Sequence, residues 1–565
     1  VDAASLLGEY HTLAPIRSLG RTATVLRPKV ASVQVVPSAT VQRPPDPSRP
    51  ATLAIWCSVL GILVVAVVGS VPGSPLQPIQ PPGVEPSGPF AWLARAIGLD
   101  ELAGTELAIA GVIAVVAAAA SFLVVLRAAW QGRIGVRMVV VLAVAYHVVV
   151  LLLPLLFSRD VYSYALYGRI SGVHGANPYV ATPADFPDDP LFDLIGPKWR
   201  DTPAVYGPLF TAVSSLLTRW IGSIEGLVTA FRVAAVAASL GTVGWILAAT
   251  RRAWPARTAF AVAAFGMNPV VLFQSAASGH NDLWVAFAIA AGLWLLLAGR
   301  ELPAVAVLSL GALVKAPAAL PLLLLIVWCV ARRPSGRRVR AVATHGGLAI
   351  GIGAVVAAPF LQLHDPTLGM LELAAHEGWL APSRFFRRLL DAVSGDTLGV
   401  VVRFAFAALL LASVALVIRE VWRRAPRASP PRVVDALEVG AAWGWSLLLL
   451  MLTGPVLLPW YVAWALPLAW LVPRVPRAVL VGVSTALAVS QWAAEPAAFP
   501  GAYDVNVLIG HYAITPVVIV ALVWLLSDGR RRVRAGAPFR DEPSAVAAGS
   551  HDDRDDRRAG APGER

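Results

Sequence analysis

The apolar run Met138–Phe157 stops abruptly in Ser158-Arg159-Asp160-Val161-Tyr162-Ser163-Tyr164. A carboxylate and a guanidinium therefore sit where a membrane-crossing helix would leave the bilayer. Asp160 has two readings. Asp is a good helix N-cap, and Val161–Ile170 has the composition of a short helix lying on the membrane. A carboxylate at the water–lipid boundary is also suited to taking a proton from a sugar hydroxyl. Arg159 is read first as a side chain that snorkels to phosphate head groups.

Three further groups carry polar chemistry inside apolar surroundings. Gly279-His280-Asn281-Asp282 interrupts two apolar runs, and it holds more polar side chains than one helix cap needs. It fits hydrogen bonding to a sugar better than metal binding, because no second His follows four residues on. Lys315 stands between two short apolar runs. A lone Lys near hydrocarbon costs roughly 2.5–3.5 kcal/mol on insertion scales, so it calls for an anionic partner. A lipid-linked phosphate and a structural carboxylate both qualify. Arg232 lies inside the apolar run Leu227–Ala249, where pairing with a backbone carbonyl or an acidic side chain is the expected fate. His376-Glu377-Gly378-Trp379 and Pro382-Ser383-Arg384 form a last polar group, with Arg384 and its neighbours Arg387 and Arg388 suited to phosphate or to a solvated face. Trp460, Tyr461 and Trp464 read as interfacial belt residues.

The elements that must hold these groups are apolar helices. Of 565 residues, 57% are hydrophobic and 14% charged, a balance that excludes a soluble enzyme. The net charge of +12 does not point to nucleic acid. Its excess falls in short basic clusters beside apolar runs, such as Arg251-Arg252, Arg332-Arg333 and Arg530-Arg531-Arg532, which is the positive-inside pattern. The two cysteines, Cys57 and Cys329, lie within apolar runs and form no metal spacing.

The expected fold is an all-α integral membrane bundle of about fourteen transmembrane helices, each needing roughly 20 apolar residues. These are 51–71, 107–126, 138–157, 227–249, 258–275, 283–298, 304–314, 316–330, 341–361, 398–418, 439–452, 457–472, 478–493 and 507–526. The transmembrane domain is 51–526. Residues 1–50 and 527–565 are expected as disordered basic cytoplasmic tails. Two long loops, 158–204 and 362–396, fall on the extracytoplasmic face with Asp160. Val205–Ile221 is expected as an interfacial or re-entrant helix opened by Tyr206-Gly207-Pro208.

The stretch Phe157–Tyr164 with Tyr167-Gly168, then Gly175-Ala176-Asn177-Pro178-Tyr179, then Tyr206-Gly207-Pro208, resembles the polyprenol-phosphomannose-dependent α-1,6-mannosyltransferases of actinobacteria. Ser278–Asp282, Leu313-Val314-Lys315 and Gly378-Trp379 to Ser383-Arg384 extend the likeness, in order, over roughly residues 50–525. The resemblance implies the GT-C architecture, a polyprenyl-phosphate-mannose donor, a lipid-anchored mannan acceptor and inversion at the transferred sugar. It implies Asp160 as general base on the acceptor 6-hydroxyl. Arg159, Tyr162, Tyr164, Tyr206, His280, Asn281, Asp282, Lys315, His376 and Arg384 are the implied substrate-binding set, with Lys315 and Arg384 on the phosphate. The implied product is the α-1,6-mannan core of lipomannan and lipoarabinomannan, made at the plasma membrane. No cofactor is expected, and a divalent metal ion is left open. The rival readings are a related transferase for another lipid-linked sugar, such as arabinofuranose, and a glycolipid transporter.

Overall fold

The computed structural model describes residues 49–361, 378, 380–394, 397–426, 432–495 and 501–541, all within one unit, Asp46–Arg565. Of the expected tail 1–50, residues 1–48 lie outside the described residues, as does His376, while Arg49 and Pro50 already belong to a helix.

Among the described residues, eighteen α-helices follow one another, joined by short 3-10 and π segments. The first six are α1 (Arg49–Gly69), α2 (Pro89–Ala96), α3 (Gly104–Trp130), α4 (Val136–Leu151), α5 (Asp160–Gly172) and α6 (Pro208–Trp220). Next come α7 (Ile224–Ala253), α8 (Thr258–Gly266), α9 (Asp282–Leu297), α10 (Glu301–Val314), α11 (Ala319–Ala331) and α12 (Ser335–Ala357). The last are α13 (Pro382–Ser394), α14 (Thr397–Arg424), α15 (Val433–Thr453), α16 (Arg474–Ser490), α17 (Ala502–Leu508) and α18 (Thr515–Ala535).

Among the described residues, 8 helices are long and apolar enough to cross a membrane, and α4, α9, α10 and the segment Ala316–Ala331 are shorter apolar helices. The chain is a multi-pass membrane protein. Its layers follow from which helices are apolar all round. Every residue of α8 is buried, and α9 and α15 are nearly so. These form the centre, while α12 and α14 turn much of their apolar surface outward. Close approach relies on small residues. A Cβ on Gly168 or Gly172 of α5 would lie 2.6 and 2.5 Å from the backbone oxygens of Ser214 and Ser215 on α6.

Leu457–Val472 departs from the expected span. It is two 3-10 segments, Pro459–Trp464 and Leu466–Leu468, buried at the centre. Pro459 and Pro467 each remove a backbone donor, so a continuous α-helix is not available there. The end of the chain departs as well. From 527 a disordered tail was expected, yet α18 continues to Ala535 and Gly536–Asp541 folds back, with the Asp541 N–H donating to Leu471 O at 2.8 Å. Arg-rich composition alone does not prevent packing when carboxylates and aromatic faces are there to receive it.

Candidate functional site

The site is built where α5 begins. Phe157 adopts φ 62°, a left-handed conformation that a bulky side chain holds only under constraint, and its N–H donates to Leu76 O at 2.7 Å. That bend turns the chain from α4 into α5. Asp160 is the first residue of α5, not its cap: Arg159 takes that position with no side-chain cap bond. α5 does not lie on a surface either, since Val161–Gly168 is buried without interruption.

Asp160 keeps 28% of its side chain accessible. Its Oδ2 lies 3.8 Å from His280 Nδ1, and its backbone N–H donates to Ser158 Oγ at 3.2 Å. Burial in the surrounding protein pushes its carboxyl up to about 6, against the pull of Lys315 and with the push of Asp282.

His280 is fully enclosed. Gly279 lets the chain turn there with φ +73°. The imidazole stacks on Trp460 at 3.8 Å and 20°, and Nδ1 lies 3.0 Å from the Tyr164 hydroxyl. Burial, and then Lys315, hold its basicity well below the usual range, so the ring is neutral. The Tyr164 hydroxyl and Nδ1 share one hydrogen bond in which either can donate. Among the described residues Nε2 has no partner, and neither do the side-chain O and N of Asn281. Buried polar atoms of this kind mark a place built for a polar guest.

Beside them lies a closed pair. Lys315 Nζ donates to both Asp282 oxygens at 2.9 and 3.0 Å, and Trp464 Nε1 donates to Oδ1 at 2.7 Å. The ammonium also faces the rings of Tyr461 and Trp464 at 4.9 and 5.8 Å. Lys315 is extended (φ −160°, ψ 136°), which ends α10 before Pro317. Tyr206-Gly207-Pro208 docks against that end: Gly207 N–H donates to Val314 O at 3.0 Å. A Cβ on Gly207 would lie 2.1 Å from Leu313 O, so no side chain fits. Tyr206 then meets Tyr164 edge-on at 4.8 Å. The helix expected within Val205–Ile221 is α6, opened by Gly207 with Pro208 in its first turn.

The structure thus brings Asp160, Tyr164, Tyr206, His280, Asn281, Asp282 and Lys315 together. It sends others elsewhere. Arg159 pairs with Glu495. Tyr162 turns away and donates to Ile79 O at 3.1 Å. Arg384 lies on α13, whose Arg388 Nη1 is 3.4 Å from His511 Nε2. Arg232 donates to Val150 O at 2.6 Å, the carbonyl partnership expected for it.

Trp460, Tyr461 and Trp464 correct the belt reading. They are 5%, 6% and 3% exposed and form the aromatic wall of the site. The prolines inside that apolar run were the available signal. Glu495 went unnoticed, because an acid after an apolar run has no local mark of its partner.

Among the described residues, Glu301, Cys329 and His345 bring metal-capable atoms within 4.8 Å of one another. They stand at the far end of α10 from Lys315, roughly 20 Å away at 1.5 Å per residue. Glu301 is already held by Arg332 at 2.6 Å and Arg333 at 2.9 Å, and two guanidiniums repel a cation.

Residues 55–332 match the family described as alpha-(1->6)-mannopyranosyltransferase, N-terminal domain. The chain is 26% identical over 417 residues to alpha-(1->6)-mannopyranosyltransferase A of Mycobacterium tuberculosis, covering 70% of this chain and 77% of that one. It is 29% identical over 184 residues to alpha-(1->6)-mannopyranosyltransferase A of Corynebacterium glutamicum, covering 32% and 37%. No solved structure matches the chain. Carrying the family's sequence signature over the helices that hold Asp160, His280 and Lys315, the chain belongs to the alpha-(1->6)-mannopyranosyltransferase family and is a hexosyltransferase.

Proposed function

We propose that the chain moves mannose from a polyprenyl-phosphate carrier to the 6-hydroxyl of a lipid-anchored α-1,6-mannan, within a GT-C-type bundle, with Asp160 as general base. The Asp160 end faces the extracytoplasmic side and the Arg-rich end the cytoplasm, as the positive-inside rule requires. The acceptor O6–H gives its proton to the Asp160 carboxylate. The oxygen bonds to C1 of mannose, and the bond from C1 to the phosphate oxygen breaks with its electrons leaving on polyprenyl phosphate. The anomeric centre inverts. Polyprenyl phosphate leaves readily, so no acid partner is needed.

The observation that carries this reading is the contrast around Asp160. It is partly open and lies 3.8 Å from a neutral His280, beside a carboxylate, Asp282, already closed by Lys315. A base that ionises near 6 is matched to work at neutral pH. His280 Nε2 and the Asn281 amide supply the unpartnered polar atoms that would orient sugar hydroxyls. Because Lys315 is engaged by Asp282, its role is to hold the floor of the site.

The test is transfer from labelled polyprenyl-phosphate mannose to a short α-1,6-mannoside by purified protein, with product linkage determined. An added α-1,6-mannosyl residue is expected. No transfer of mannose, with transfer of arabinofuranose from polyprenyl-phosphate arabinofuranose supplied in a parallel assay or with neither sugar transferred, would overturn the assignment.

A further inference from the structure

We infer that a second cavity, on the Tyr162 side of α5, binds the more distant sugar residues of a long mannan acceptor; this rests on the proposed transfer reaction. The cavity encloses about 350 Å³, within the roughly 300–1,000 Å³ range of small-molecule sites. The loop Gln80–Pro89, the turn Leu151–Leu155 and the first turns of α7 form its walls. Gln80, Glu85, Tyr162, Glu225, Thr229 and Arg232 supply its polar and aromatic groups.

Arg232 is the telling member. It is 7% exposed, yet among the described residues its hydrogen bond runs to the neutral carbonyl of Val150 and its Nε is unpartnered. No carboxylate pairs with it among the described residues. A buried cation left partly unsatisfied beside a cavity wants an acceptor there. The rim argues against an anion, since Glu85 and Glu225 line it and both are exposed. Arg232 argues against a cation. A neutral polyhydroxyl chain satisfies both, its oxygens accepting from Arg232 and its hydroxyls donating to the glutamates.

Two contacts join this cavity to the reaction centre. Tyr162 is two residues beyond Asp160 on the first turn of α5, so the two side chains project to different sides of the helix. The stem of Arg232 lies 3.4 Å from where a Gly279 Cβ would be, next to His280. An oligosaccharide that presents its terminal hydroxyl to Asp160 would pass the far side of α5 with its inner residues.

Thr229 is an exposed rim residue, so Thr229→Trp fills the cavity without opening the core. With purified enzyme, that variant should raise the acceptor KM for an α-1,6-linked mannotetraoside about tenfold, while KM for the mannobioside and for the donor stays put. Arg232→Met should show the same selectivity. Equal effects on both acceptors, no effect on either, or a rise in donor KM would overturn the inference. Calorimetric binding of mannotetraose to the purified protein separates this claim from the reaction itself. Binding by wild type and its loss in Thr229→Trp would uphold the subsite even if mannose transfer failed. Binding that Thr229→Trp leaves unchanged, or no binding by wild type, would sink the subsite alone.

Discussion

At the Glu301 end of the bundle, acids are saturated with donors. Glu301 holds Arg332 and Arg333, Asp541 holds Arg257 at 2.9 Å and Arg477 at 2.8 Å, and Glu438 accepts from Arg424 and from the backbone N–H groups of Phe539 and Arg540. Arg257 and Arg477 each lie 4.3 Å from the Trp130 ring. At the Asp160 end the arrangement is looser. One carboxylate, Asp282, is closed by Lys315 and Trp464, whereas Asp160 meets a neutral imidazole at 3.8 Å. Buried polar atoms on His280 and Asn281 have no partner among the described residues. Charge that is fully paired holds helices together; charge and hydrogen-bond capacity left open can meet a substrate. The same residue types serve both ends, so the difference lies in pairing and not in composition.

The largest break in this comparison comes from opening the closed pair. Lys315→Met would leave Asp282 buried and uncompensated, at a cost of about 3–5 kcal/mol. Thermal unfolding in detergent should show a strongly destabilised protein, and Lys315→Met combined with Asp282→Leu should recover much of the loss. If the single variant unfolds like wild type, the pair does not hold the site's floor.

Tyr164→Phe removes the hydroxyl that fixes the His280 ring. Misplacing a group by about 1 Å can cost on the order of a hundredfold in rate, so kcat should fall by up to that factor with KM little changed. A pure KM effect would assign Tyr164 to substrate holding instead.

Asp160 must be ionised to accept a proton. With its carboxyl pushed up to about 6, transfer should rise roughly tenfold per pH unit up to pH 6 and level off above it. Stability runs the other way. The folded chain holds this proton more tightly than the unfolded one, whose value is near 3.8, so the group favours folding below that pH. That contribution disappears as pH rises through 6. A rate limb near pH 4 would mean that Asp160 is not desolvated as described.

The smallest effect belongs to the paired end. Asp541→Ala removes the shared acceptor of Arg257 and Arg477, which are partly buried, and should lower stability by about 1 kcal/mol. Steady-state transfer should match wild type. A loss of activity there would join the two ends that the comparison separates.

Much of this was legible in the chain. Asp160 stood out because an acid ended an apolar run, and His280–Asp282 because polar residues clustered between two others. Lys315 announced that it needed an anion, though not which one, because its partner Asp282 is 33 residues away. The Trp460–Trp464 wall was misread, since aromatic residues in an apolar run fit a lipid interface and a buried turn equally well. Only the pattern of Pro459 and Pro467 separated the two. The folded end at Gly536–Asp541 was hidden for a different reason: its order comes from Glu438, Arg257 and Arg477, none of them near it in sequence.

The most direct test is mannose transfer by purified Asp160→Asn, an isosteric change that removes only the ability to accept the proton. A general base contributes typically 10²–10⁴-fold. Turnover should therefore fall by about that factor, with donor binding and thermal unfolding as in wild type. Near-normal turnover in a folded Asp160→Asn enzyme would contradict the account.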